Sequence, residues 1–190
     1  MFKITFTPDG TIRLFKTSLT YNKPRNNDGI LVDEKLTLSN ARFADGLFHK
    51  PGQEASKAID GEVPTENDWQ KKDGFAHSAT ENSRFLVDLP TGAIVNNVKI
   101  YPRNSKYDGH INGRYTTMTV KVGDTECEPL QTLTNADVKA AVFSGLQWKC
   151  NGATGESIVV DNDNWMHFSE IEAFGSAPTP VELCEPAVNA

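Results

Sequence analysis

The chain has no apolar run approaching the roughly 18 residues that cross a bilayer as a helix, which sets helical membrane insertion aside. It has no surplus of base either: 19 Lys and Arg face 25 Asp and Glu, a formal net charge of −6. Phosphate binding draws on a basic surface that releases counterions, and no Lys/Arg cluster supplies one, so nucleic acid is excluded as a partner. Neutral ligands and cations stay compatible. There is no Gly-x-Ser-x-Gly elbow and no phosphate-binding glycine loop, and carboxylates scattered through loops do not define a glycosidase. His49, His77, His110, His167 and the three cysteines lack the paired spacing of zinc ligands. These absences point away from an enzyme and towards binding or structure.

Long helical repeats are missing as well. What is present is period-two alternation broken by Gly, Asn, Asp and Pro clusters, an all-β signature. With 190 residues, 38% of them hydrophobic, the chain can bury one sizeable core with extensions, and not comfortably two. Residues 1–36 read as a strand-rich arm, with strands at Phe2–Phe6, Thr11–Leu19 and Ile30–Val32 and a turn at Pro8-Asp9-Gly10. The arm is too short for its own core and is expected to add strands to the core domain or to a partner chain. The core domain is placed at 37–176, with strands at Arg84–Leu89, Asn97–Pro102, Thr116–Val122, Glu156–Val160 and Phe168–Phe174, and a short helix at Asp137–Phe143. Residues 177–190, with Pro178, Pro180 and Pro186, read as an extended tail. Asp161-Asn162-Asp163-Asn164 starts like an Asp-rich calcium loop but lacks the glycine and the distant glutamate, and reads as a hairpin turn.

Met1–Phe6 alternates like a strand and has none of the basic head, apolar stretch and small-residue cleavage site of a secretory leader. Cys127 and Cys150 flank a turn-rich segment of the core domain, whereas Cys184 sits in the tail. One bridge and one free thiol are expected, three reduced thiols being the alternative. A bridge without a leader fits a processed chain, a leaderless export route or a protein released by lysis, such as a virion component. The expected location is extracellular, or the surface of a virion or cell.

Three separated motifs carry a family resemblance: Ala55-Ser56-Lys57-Ala58-Ile59-Asp60-Gly61, His77-Ser78-Ala79-Thr80-Glu81-Asn82 leading into Phe85-Leu86-Val87-Asp88-Leu89, and Phe168-Ser169-Glu170-Ile171-Glu172-Ala173-Phe174-Gly175. Together they resemble the start, middle and closing strand of the galactose-binding-like β-sandwich jelly roll of the discoidin and F-type lectin superfamily. F-type lectins carry His-Thr-x-x-Glu-Asn before a Val-Asp-Leu strand, and an Arg-x-Asp-x(4)-Arg clamp after the next strand. On that pattern His77 and Arg103 are the implied sugar donors, with His110 or Arg114 for the second arginine. Phe75, Trp69 or Tyr107 supplies the aromatic face. Ser105 stands where the family has its orienting Asp, and the adjacent cysteine pair of its sugar loop is absent, which leaves the sugar open. The family's second disulfide corresponds to Cys127 and Cys150.

The resemblance also implies calcium, tying the first loop to the last strand. Asp60 and Glu170 match the side-chain ligands, and Lys57, Glu62, Gly74 and Ser169 would offer backbone oxygen, the mixture a hard cation takes. The plainer alternative is a turn at Asp60-Gly61 and a solvated Glu170. The expected function is a calcium-stabilised, lectin-like module that binds glycans of a cell surface or glycoprotein through loops at one end of the sandwich. Such sites are weak singly, so a homo-oligomer or larger assembly, held through arm and tail, is expected. The alternative is a structural or decoration protein of a virion or other extracellular assembly, using the same fold for packing.

Overall fold

The computed structural model describes residues 33–65, 74–103 and 113–177, and the backbone of residues 2–6 and 12–16. The chain divides into two units, Met1–Val32 and Asp33–Ala190. In the first, β1 (Phe2–Phe6) and β2 (Ile12–Lys16) pair antiparallel, Phe2 opposite Lys16 and Phe6 opposite Ile12. The strand read at 30–32 and the tail from 178 lie outside the described residues.

In the second unit, alternation decides which side chains face inward. β6 (Ser83–Asp88) buries Phe85 and Val87 and exposes Arg84, β12 (Ser157–Asn162) buries Ile158 and Val160, and β8 (Thr119–Val122) buries Val120 and Val122. With β4 (Ser39–Phe43) and β9 (Thr125–Glu126) at the edges, they form an antiparallel sheet in the order β4-β6-β12-β8-β9. The second sheet runs β10 (Glu128–Pro129), β11 (Leu146–Thr154), β7 (Ile94–Pro102), β13 (His167–Ser176) and β3 (Glu34–Lys35), and β5 (Ala76–His77) also pairs with β13. β3 falls inside the arm as drawn from the sequence and pairs with β13.

One apolar core lies between the sheets. Trp148, Leu146, Ile100 and Phe168 of the second sheet meet Phe85, Ile158 and Val160 of the first, with Phe85 and Phe168 edge to face at 4.9 Å. Each such side chain contributes about 1.5–3 kcal/mol on burial, more than any surface ion pair here supplies. β13 packs so tightly on β7 that a Cβ at Gly175 would run into the carbonyl oxygen of Ile94. The bridge expected from the resemblance is present, joining Cys127 to Cys150 of β11.

Two local readings change. Asp161–Asn164 is not a hairpin turn: β12 and β13 belong to different sheets, so this segment arches across the sandwich. The short helix α1 (Asn135–Ala140) starts two residues before the expected position. Thr134 accepts from the Asp137 amide while the Asp137 carboxylate accepts from the Thr134 amide, a capping box that fixes the first turn.

Candidate binding and metal sites

β5 pairs with the first residues of β13, placing His77 directly opposite His167. Around His77 the fold gathers His49, Phe75, Trp165 and Arg103. The His77 ring centroid lies 4.6 Å from that of His49, 5.3 Å from His167, 5.7 Å from Trp165 and 6.0 Å from Phe75. The Arg103 guanidinium sits 4.1 Å from the centre of the Phe75 ring, a cation–π contact. His77 is 7% exposed; its Nδ1–H faces Gln53 Oε1 at 3.3 Å, and its Nε2 is buried with no hydrogen-bond partner among the described residues. Burial first, then neighbouring His49, Arg103, Arg114 and Lys50, lowers its pKa to about 4. At neutral pH the ring is therefore uncharged and Nε2 is an acceptor.

Tyr115 fixes the floor of this corner. Its hydroxyl accepts the Arg103 backbone N–H at 2.9 Å and donates its single proton to the His167 carbonyl. The 2.9 Å contact with His167 Nδ1 must then be an Nδ1–H donated to the hydroxyl oxygen, which leaves His167 Nε2 an acceptor, also without a partner among the described residues. Burial, above all, holds the His167 pKa well below its usual value. Asn162 anchors the flanks: its carbonyl accepts from the Thr117 hydroxyl at 2.8 Å, and its amide donates to the Arg114 and Trp165 carbonyls at 2.8 and 3.2 Å.

Of the sugar-site residues read from the sequence, the structure brings together His77, Phe75 and Arg103, with Arg114 near enough for its charge to act on both buried histidines. Trp69, Ser105, Tyr107 and His110 lie outside the described residues. The sequence does not single out His49, Gln53, Tyr115 or His167 for this corner, nor Trp165, which stands edge-on to His49 and His77. None has a local spacing that announces it; each arrives from a different element through strand pairing. His49, His77 and His167 meet here although their sequence spacing shows no pattern. Among the described residues, however, no three or more His, Cys, Asp or Glu are arranged to hold a metal ion.

Roughly 10 Å further along β13, at the usual strand rise, a second polar cluster forms. Ile171 and Ala173 turn into the core, so Glu170 and Glu172 share the opposite face, yet both are buried, at 2% and 8% exposure. The 3₁₀ turn Ala55–Ala58 leads to Asp60 and Gly61, whose positive φ of 83° aims its N–H at Glu170 Oε2, 3.2 Å away. Lys35 Nζ bonds Glu172 Oε1 at 2.7 Å and lies 4.0 Å from Glu170 Oε1, while the Tyr101 hydroxyl donates to Glu172 Oε2 at 3.0 Å. Burial raises the Glu170 pKa to about 7, against the Gly61 N–H and Lys35, with Asp60 and Glu172 adding to the rise. Asp60 accepts the Glu62 amide at 3.1 Å and pairs with Lys57 at 3.6 Å. Ser169 is buried, and the Gly74 N–H donates to the Gly52 carbonyl at 3.2 Å.

The opposite end of the sandwich carries an open groove of about 600 Å³ lined by Arg42, Asp88, Thr91, Glu156 and Ser157. Arg42 and Asp88 are bonded at 2.7 Å, and Asn40 donates to the other Asp88 oxygen at 2.8 Å, so these two charges are spent on each other. The His77 corner differs in offering buried ring nitrogens without such a use.

No protein-family model and no curated protein matches the chain. Solved structures do. The lectin domain of lectinolysin, complexed with Lewis b antigen, superimposes with a TM-score of 0.54 at 21% identity, over 73% of this chain and 94% of that one. An F-lectin (fucolectin) from the serum of the striped bass, Morone saxatilis, gives 0.53 at 18% identity over 80% of this chain, which spans 51% of that one. The fold is the all-β, two-sheet antiparallel sandwich of the galactose-binding-like type that these domains share, as the sequence resemblance implied.

Proposed function

We propose that this chain is a carbohydrate-binding, lectin-type module whose sugar site lies at the end of the sandwich around His77, Arg103 and Phe75. The observation that carries the proposal is the pairing of a buried acceptor nitrogen, His77 Nε2, with an arginine held over an aromatic ring. A sugar presents hydroxyls in fixed directions and one apolar face, so it takes an acceptor, a long planar donor and an aromatic or apolar surface from different loops. Exposed Phe48, bridged to Ser78 beside His77, adds an apolar residue next to that corner. The Lewis b antigen in the lectinolysin complex supports a glycan as the ligand class.

Calcium is the proposed companion. Two side-chain ligands are at hand: the Gly61 N–H on Glu170 Oε2 brings the Asp60 loop beside Glu170, a deeply buried carboxylate that Lys35, 4.0 Å away, compensates only in part. Asp60 and Glu170 would hold it by side chains, with backbone oxygens of Lys57, Glu62, Gly74 and Ser169. When bound it supplies a rigid tie between first loop and last strand. Single-site affinity is modest, so the module acts by repetition outside the cell, with the β1–β2 hairpin, a separate unit, as an attachment element.

The test is a glycan-array screen of purified protein in calcium, with Arg103→Ala on the same array. Selective binding by the parent, lost in the variant, is expected. No binding to any glycan by folded protein overturns the lectin reading and favours a structural or decoration role.

A further inference from the structure

Lys35 occupies a place that the calcium reading leaves unexplained. It stands on β3, opposite Phe174 in the register with β13, at the edge of the second sheet. From there its ammonium reaches the outward face of β13, 2.7 Å from Glu172 and 4.0 Å from Glu170. The other oxygens of the pair are also in use, by the Gly61 N–H and the Tyr101 hydroxyl. A positive charge already sits beside the buried carboxylate that a metal would need.

We propose that Lys35 is a built-in competitor for calcium, an internal cation on Glu170 and Glu172 that must yield when the metal enters. The inference rests on the calcium reading above. Two cations within a few ångströms of one carboxylate repel each other, so the metal's gain at Glu170 is offset by displacing or crowding the ammonium. Lys35 can give way: its side chain is 49% exposed and anchored chiefly to Glu172. The buried carboxylates of β13 would therefore be compensated in two ways, weakly by Lys35 reaching over from β3 and firmly by calcium. Calcium affinity is set by the difference.

Calorimetric titration of calcium into the full chain tests this, comparing the parent with Lys35→Gln, Lys35→Met and Lys35→Arg, each checked for folding by circular dichroism. Lys35→Met keeps the aliphatic stem should the glutamine disturb the sheet edge. Lys149→Gln on β11 controls for net charge. Removing the ammonium is expected to tighten calcium binding about tenfold, the effect of one lost repulsive charge at this range, with Lys35→Arg and Lys149→Gln close to the parent. Binding that appears only in the neutral variants supports the proposal equally. Equal affinity in the parent and both neutral variants overturns the competitor role and leaves the calcium reading standing; no binding in any variant overturns both.

Discussion

The two buried polar clusters on β13 are neighbours with opposite electrostatic designs. At His77 and His167, basic side chains are buried among other cations and driven towards the neutral form, and each keeps a ring nitrogen without a partner among the described residues. At Glu170 and Glu172, acidic side chains are buried but met by a lysine, a tyrosine hydroxyl and a glycine N–H. A buried polar atom left unmatched costs stability unless something else uses it. The first cluster thus keeps acceptor nitrogens unmatched among the described residues, whereas the second already contains its own counter-charge. The glycan proposal rests on the one, and the calcium-exchange proposal on the other.

Acid should separate the two most strongly. The unfolded chain takes up a proton at His77 near 6.5, whereas the folded chain resists until about 4, so His77 weakens the fold as pH falls through that window, by at most about 3 kcal/mol. Glu170 has the opposite sign. Its folded pKa of about 7 stands above the unfolded value, so the protonated form favours folding and that contribution is lost as pH rises from 4.5 to 7. Urea midpoints measured without calcium across pH 4 to 8 should tilt one way in His77→Gln and the other way in Glu170→Gln. A common tilt would break the contrast.

A smaller effect sharpens it. Tyr115→Phe removes the hydroxyl that holds Arg103 and His167 together, stranding a buried N–H and carbonyl at a cost of about 2 kcal/mol. Glycan binding should weaken with it, because Arg103 loses the hydroxyl that fixes its backbone to His167, while calcium binding should not change. Parallel denaturation and calcium titration of this variant check both statements.

The sandwich was legible because inward residues such as Phe85, Val87, Ile158 and Val160 alternate cleanly, and because three separated motifs resembled a known β-sandwich. β11 was passed over although Leu146, Trp148 and Cys150 alternate inward, since Gly145 and Gly152 make its ends look like turns. The hairpin reading of Asp161–Asn164 failed because local turn chemistry does not reveal whether the next strand joins the same sheet. His77, Phe75 and Arg103 were visible through motif position. Tyr115, Gln53 and His49 were not, because their roles come from β5 meeting β13 across 90 residues of chain, His77 opposite His167. Lys35 was hidden for the same reason: a lone lysine acquires its partners only when β3 docks on β13.

The most direct measurement follows the histidine ring signals by NMR while a glycan selected on the array is titrated in. The account predicts that His77 and His167 shift together and saturate with the binding curve. Saturable binding that leaves both rings unmoved, and shifts Thr91 and Ser157 at the opposite groove instead, would contradict it.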